Sequence, residues 1–261
     1  MTEHRKIVGL GSSFAAGPGV EPVEDANAMR SSRNYAHLLA DRLGAELTDL
    51  SVSGATTATI LHTPQTIAAG VEFPPQIDGV PPDADLVTVT AGGNDLQFAG
   101  SMLHAAWSRF EPDGPIATML TQGLSGGVPE PTEESVDAVA RGLVAIVAGV
   151  RARAENARVV LVDYLTVLDG RDHGEDPLFS DAETAVFLRI QDALVRGHEI
   201  AAERAGAELV RASKLSTGHG LGSTEPWVFG FQPSVKKTAS SFHPNEAGMS
   251  AIADALAARV R

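Results

Sequence analysis

Along the chain, short runs of apolar residues alternate with longer stretches in which apolar side chains recur every three or four positions. The short runs predict strands at Lys6 to Leu10, Ala45 to Leu50, Asp85 to Thr90, Arg158 to Val162 and Ala207 to Val210. Between the first two, Tyr35, Leu38, Leu39 and Leu43 fall on one face of a helix that Asn34 caps and Gly44 ends. Further helical patterns run from about Glu133 to Asn156, where Thr132 to Ser135 suits a cap, from about Asp181 to Ala205, and from about Asn245 to the C-terminus. This alternation predicts an α/β fold, a parallel sheet covered by helices. No internal repeat or linker divides the 261 residues, so a single domain is expected over 1–261.

Two stretches depart from the alternation. Phe98 to Val128 carries Met102, Leu103, Trp107, Phe110, Ile116, Met119 and Leu120, interrupted by Pro112-Asp113-Gly114-Pro115. It predicts an extra helical hairpin packed on the core; a sharper reading makes it an apolar wall or lid for an acyl chain. Asp169 to Pro177 is polar and glycine-containing and reads as a surface loop.

Composition narrows the classes. With 43% hydrophobic and 20% charged residues, the chain can bury a core. A net charge of −13 argues against a nucleic-acid partner, because phosphate neutralisation needs clustered Lys and Arg. Cysteine is absent, so neither disulfides nor thiolate metal sites hold the fold. No apolar run reaches the length of a membrane span, and the start MTEHRK leads straight into Ile7 to Leu10, too short for a signal core. A cytoplasmic protein without integral membrane association is the expectation.

Candidate chemistry gathers in loops that follow the predicted strands. Gly11-Ser12-Ser13-Phe14 follows the first, Ser53-Gly54 the second and Gly92-Gly93-Asn94-Asp95 the third, while Ser241-Phe242-His243-Pro244-Asn245 precedes the last helix. Ligands of open parallel sheets bind at such strand ends. Each piece alone has a plainer reading: Ser13 as a helix cap, His243 as a surface histidine, the double glycine as a turn. Phe14 stands where a dinucleotide fingerprint needs its third glycine, and Ala15 where the G-x-S-x-G elbow needs its second. The eight histidines, at 4, 37, 62, 104, 173, 198, 219 and 243, show no metal-binding spacing, so no metal and no cofactor is expected. His219 in its glycine-rich setting reads as part of a turn, and Trp107 and Trp227 read as core, with a pocket wall as the alternative.

Taken together, the four pieces, running from Gly11 to Gly248, resemble the SGNH (GDSL-like) family of serine esterases and lipases. Gly218 to Gly222, followed by Glu225-Pro226-Trp227-Val228, is similar to its bacterial branch. The resemblance implies a three-layer, flavodoxin-like fold with a five-stranded parallel sheet. It assigns Ser13 as nucleophile and His243 as its base, with the Ser13 and Gly54 backbone N–H groups and the Asn94 amide as an oxyanion hole. Ester hydrolysis of a small-molecule substrate is the implied activity. Acyl transfer to an alcohol or sugar is the alternative, and an inactive binding protein a third; oligomeric state stays open.

Two positions differ from the family pattern. Ser12 stands where an aspartate usually precedes the nucleophile, and Ser240 stands three residues before His243, where the third catalytic aspartate belongs. His243 therefore needs another orienter. The expected candidates are a backbone carbonyl from Ser240 or near Trp227, the hydroxyl of Ser240 or Ser241, and the carboxylate of Glu225. An ordinary imidazole would put the onset of activity near pH 6 to 7.

Overall fold

The five apolar runs form one parallel sheet from β1 (Lys6–Gly11), β2 (Glu46–Asp49), β3 (Leu86–Thr90), β4 (Arg158–Val162) and β5 (Glu208–Val210), ordered β2-β1-β3-β4-β5. The computed structural model describes residues 6–68, 70–124, 127–169 and 178–260. All of β3 and nearly all of β1 and β4 are buried, as helices on both faces of a parallel sheet require. The α/β architecture expected from the sequence is thus observed.

Nine helices occupy the described residues: α1 (Ser13–Ala16), α2 (Tyr35–Leu43), α3 (Thr57–Leu61), α4 (Phe98–Phe110), α5 (Pro115–Gly123), α6 (Glu133–Arg153), α7 (Asp181–Ala205), α8 (Ala212–Leu215) and α9 (Glu246–Val260). The chain steps from β1 through α2 to β2, then back across the sheet through α6 and α7 to β5. Right-handed crossovers therefore place α2 on one face and α6 with α7 on the other. α9 packs on α2, and α3 packs on α6. The Asn34 side-chain oxygen Oδ1 accepts from the Ala36 and His37 N–H groups at 3.1 Å each, and Gly44 ends α2 in the left-handed conformation. Capping boxes open α6 at Thr132 with Ser135 and α7 at Ser180 with Glu183.

Residues 98–128 hold the helices α4 and α5, which pack on each other, with α4 also against α7. Trp107 is buried, donates from Nε1 to Thr238 Oγ1 at 2.7 Å and meets Phe110 and Phe231 edge-on. Of the expected loop at Asp169 to Pro177, residues 170–177 lie outside the described residues. Two ribbons of two or three residues a strand were not expected: Val23–Asp25 with Arg30–Ser31, and Gln65–Thr66 with Glu72–Phe73. Among the described residues no helix is long and apolar enough to cross a membrane.

The α3–α6 contact matters for the site, because α3 follows the Ser53-Gly54 loop. Its first residue, Thr57, donates to Asp95 from its backbone N–H (3.1 Å to Oδ2) and its hydroxyl (2.5 Å to Oδ1), joining the loops after β2 and β3. A methyl group at Gly142 of α6 would stand 2.7 Å from Thr57 Cβ and Oγ1. Gly142→Ala is expected to cost about 1–3 kcal/mol through this overlap. Gly123→Ala in α5, which meets no atom within 4 Å, is expected to be neutral or to stabilise by about 0.5–1 kcal/mol. Urea denaturation of both variants checks this; equal midpoints would refute the close approach.

Candidate active site

β1 ends at Gly11, and the chain turns at Ser12 into the single turn α1, so that Ser13 occupies a helix's first position. The N–H there lies among the donors a helical ladder leaves open. Gly11 itself is clamped by a buried glutamine: Gly11 N–H donates to Gln76 Oε1 and Gln76 Nε2 donates to the Gly11 carbonyl, both at 2.9 Å. Ser12 shares a 3.2 Å hydrogen bond with the Tyr164 hydroxyl, which also accepts the Gly93 N–H at 2.7 Å. One phenol from just beyond β4 thereby ties the loop after β1 to the loop after β3. Burial pushes the pKa of that phenol up, so it stays protonated.

His243 arrives from the other end of the chain. Residues 226–229 and 242–245 run antiparallel: Phe229 N–H donates to the His243 carbonyl (2.8 Å), Phe242 N–H to the Phe229 carbonyl (2.9 Å) and Asn245 N–H to the Trp227 carbonyl (2.9 Å). Phe242 has φ 65°, a left-handed backbone that a bulky side chain rarely adopts. Its ring is fully buried, against Phe231 and Phe179. The turn it makes brings the Ser241 carbonyl to 2.8 Å from His243 Nδ1, while Nε2 lies 2.8 Å from Ser13 Oγ. Nδ1 therefore carries the proton that the carbonyl accepts, and Nε2 presents its lone pair to the serine hydroxyl.

The expected orienters stand elsewhere. The Ser240 hydroxyl donates to the Lys237 carbonyl at 2.7 Å, and the Ser241 hydroxyl accepts the Gln232 N–H at 2.9 Å. Glu225 is exposed, and its carbonyl is bonded by His219 Nδ1 at 2.8 Å. The Trp227 ring is half-buried rather than core, stacked on His219 with centroids 4.1 Å apart. The Ser241 backbone carbonyl, one residue from the expected Ser240, is the group on the ring.

Asn94, one residue beyond Gly93, lines a narrow crevice with Ser13, Phe98 and Tyr164. Its Nδ2 donates one hydrogen to the Ala55 carbonyl at 2.8 Å, and the amide's second hydrogen is left over. The same bond holds Asn94 to the loop that carries Gly54. That loop is pinned by Val52 N–H on the Gly11 carbonyl (3.1 Å), Ser53 N–H on the Ala28 carbonyl (2.9 Å) and Gln65 Nε2 on the Ser53 carbonyl (2.8 Å). Gly54 takes φ 85°, which a side chain would strain.

Electrostatically the site is buried, and among the described residues its histidine has no partner carboxylate. Burial lowers the His243 pKa from 6.5 to about 4, the bond to the Ser241 carbonyl only partly opposing the shift. At neutral pH the ring is an uncharged base facing a hydroxyl, an arrangement suited to generating a serine nucleophile. Among the described residues one group could hold a metal ion, Glu24 with His37 and Asp49. His37 turns a different nitrogen to each acid, Nε2 to Glu24 (3.3 Å) and Nδ1 to Asp49 (3.5 Å). Asp49 Oδ1 in turn accepts the Ser51 N–H (2.9 Å) and hydroxyl (2.7 Å). The cluster works as a brace for the loop leading to Gly54.

The chain matches the GDSL-like lipase/acylhydrolase family over residues 10–251. It belongs to that family. Lipase 2 of Streptomyces coelicolor is 33% identical over 271 residues, covering 95% of this chain and 83% of the relative. The extracellular lipase of Streptomyces rimosus superposes with a TM-score of 0.72 at 21% identity, covering 97% of this chain and 99% of that one. Phospholipase A1 of Streptomyces albidoflavus NA297 superposes at 0.74 and 20% identity, covering 98% and 99%. The two structures share the fold of this carboxylic ester hydrolase.

Burial of neutral histidine has a measurable consequence. His198, fully buried with Nδ1 on the Leu194 carbonyl at 2.8 Å, is likewise lowered to about 4. Between pH 6.5 and 4 the unfolded chain binds more protons at both rings, so their contribution to stability is complete above pH 6.5 and is lost as pH falls toward 4. Asp163, raised to about 6 by burial, acts in the opposite sense over part of that range. Imidazole NMR titration separates the groups: both histidines are expected to titrate near 4. Values of 6 to 7 would contradict the buried site.

Proposed function

We propose that the protein hydrolyses carboxylic esters through an acyl-Ser13 intermediate, with His243 as general base and acid. The observation that carries this reading is the chain of two 2.8 Å contacts from the Ser241 carbonyl through His243 to Ser13 Oγ. Ser13 Oγ attacks the ester carbonyl carbon as its proton passes to Nε2. The tetrahedral intermediate then expels the alcohol oxygen, which takes that proton from His243. Water, deprotonated by the same nitrogen, attacks the acyl carbon; Oγ leaves, recovers the proton and the carboxylate is released. The free Ser13 and Gly54 N–H groups and the second Asn94 amide hydrogen face the developing oxyanion in this reading.

The Ser241 carbonyl does for the imidazole what the aspartate would have done at Ser240: it keeps one tautomer and one ring orientation. An inactive scaffold draws its support from the missing aspartate alone, and a carbonyl on the ring weakens that support. Relatives named lipase and phospholipase A1 make lipid esters natural first substrates.

Purified wild type and Ser13→Ala, given p-nitrophenyl esters of graded chain length, test the proposal. Turnover is expected in wild type and none above background in the variant; equal rates would sink the nucleophile assignment. Asn94→Ala is expected to lower kcat by about 10²–10³ with a smaller change in KM. The base limb of kcat/KM should rise through a pKa of about 4 and stay flat from pH 5.5 to 7.5. A limb centred on 6 to 7 would mean that the free enzyme hydrates the ring or supplies a carboxylate partner.

A further inference from the structure

Tyr164, the second residue past β4, is fully buried, and with Ser13 and Asn94 it lines the crevice of the candidate site. It has no part in the reaction steps described above. Three rings hold its own: Phe14 at 4.6 Å between centroids, His198 edge-on at 5.8 Å and Phe98 edge-on at 6.2 Å. Packing therefore fixes where the hydroxyl stands, and its two hydrogen bonds both go to loops of the site. It accepts the Gly93 N–H at 2.7 Å and shares a 3.2 Å bond with Ser12 Oγ. Gly93 and Ser12 are themselves buried, where an unpaired polar group is costly.

The two partners stand one residue before Asn94 and one residue before Ser13. A single oxygen thus spaces one loop against the other. The approach at Gly93 is close enough to dictate the residue type. A methyl group there would stand 2.6 Å from both Cε1 and Oη of Tyr164. Gly92 has a φ of 104°, a backbone reason to be glycine. Gly93 lies outside that region, and the phenol is its reason. Asn94 depends on this anchor, because its side chain makes one bond, to the Ala55 carbonyl at 2.8 Å. The direction of the second amide hydrogen then follows from where the backbone at Gly93 and Asn94 sits.

We propose that Tyr164 is a positioning residue for turnover: through the Gly93 N–H its hydroxyl holds the Asn94 amide within reach of the oxyanion that forms when Ser13 attacks. The inference rests on the ester-hydrolase reading. Tyr164 acts through Asn94 rather than on the substrate, since Gly93 and Ser12 occupy its hydroxyl.

Tyr164→Phe keeps the ring and removes only the oxygen. With p-nitrophenyl butyrate, kcat is expected to fall about tenfold while KM stays within about twofold, because the amide acts on the transition state. Tm falls by about 2–4 °C even if the phenol serves the fold alone, so a double-mutant cycle is the deciding readout. In an Asn94→Ala background the same substitution is expected to change kcat by about twofold or less, because the group it positions is gone. Gly93→Ala reaches the bond from its other end, crowding the phenol while keeping its oxygen. It is expected to reproduce both results, the loss of kcat in the wild-type background and its absence in Asn94→Ala. An unchanged kcat in Tyr164→Phe would overturn the inference while leaving ester hydrolysis intact. So would an about tenfold loss that persists without Asn94, which would place the phenol's action on Ser13 or the substrate. No turnover of any ester by wild type would instead remove the hydrolase reading, and the inference with it.

Discussion

The chemistry proposed for Ser13 hangs on a hydrogen bond that spans only two residues, from His243 Nδ1 to the Ser241 carbonyl. Imidazole has two tautomers, and only one leaves Nε2 with a lone pair toward the hydroxyl. The carbonyl selects it. That carbonyl reaches the ring because Phe242 holds a left-handed backbone, a conformation that costs on the order of 1–3 kcal/mol and persists where surroundings over-determine it. Here the surroundings are its buried ring and the antiparallel pairing of 242–245 with 226–229. Packing thus pays for the geometry of the base.

Replacing a carboxylate by a carbonyl changes the electrostatics of the whole reaction. A buried aspartate would leave the resting site anionic and would have to be desolvated at a cost of several kcal/mol. In this site the resting dyad is neutral, and proton transfer creates one imidazolium and one oxyanion side by side, again neutral in sum. The drawback is basicity: burial without a countercharge lowers the His243 pKa to about 4. A weaker base takes the serine proton less readily, but its conjugate acid protonates the leaving alcohol more readily. On the proposed mechanism, with the base handicapped, stabilisation of the oxyanion by Ser13, Gly54 and Asn94 would have to supply more of the rate.

Much of this was legible from residue types. Strands buried on both faces read as continuous apolar runs, so β1, β3 and β4 stood out, and side-chain caps such as Asn34 and Thr132 announce helix starts. Ser13, Gly54, Asn94 and His243 sit in short motifs beyond strand ends or before a helix. The orienter was not legible, because every residue has a carbonyl and its use depends on the φ of Phe242, a residue type that gives no sign of a left-handed turn. Tyr164 and Gln76 were missed for a different reason. They act 152 and 65 residues away in sequence from Ser12 and Gly11, and only the sheet order brings them there. The brace of Glu24, His37 and Asp49 joins a ribbon too short to show periodicity to a helix and a strand end.

The sheet order also explains how parts so far apart in sequence meet. β1 lies between β2 and β3, so the loop carrying Ser13 is flanked by the loops carrying Gly54 and Asn94. α9 packs on α2, which follows β1, and this sets the residues just before α9 beside the same strand end. The loops around the candidate site are tied to the sheet or to each other by hydrogen bonds: Gln76 on Gly11, Tyr164 on Ser12 and Gly93, the Ala55 carbonyl on Asn94 and the Ser241 carbonyl on His243. A cavity of about 450 Å³ is different, since its walls come mostly from irregular chain around Gly17 to Ser31 and Phe229 to Ser240. Substitutions in such loops change a surface without moving the scaffold beneath it. The candidate site is thereby held by the scaffold, while the walls of that cavity are free to vary.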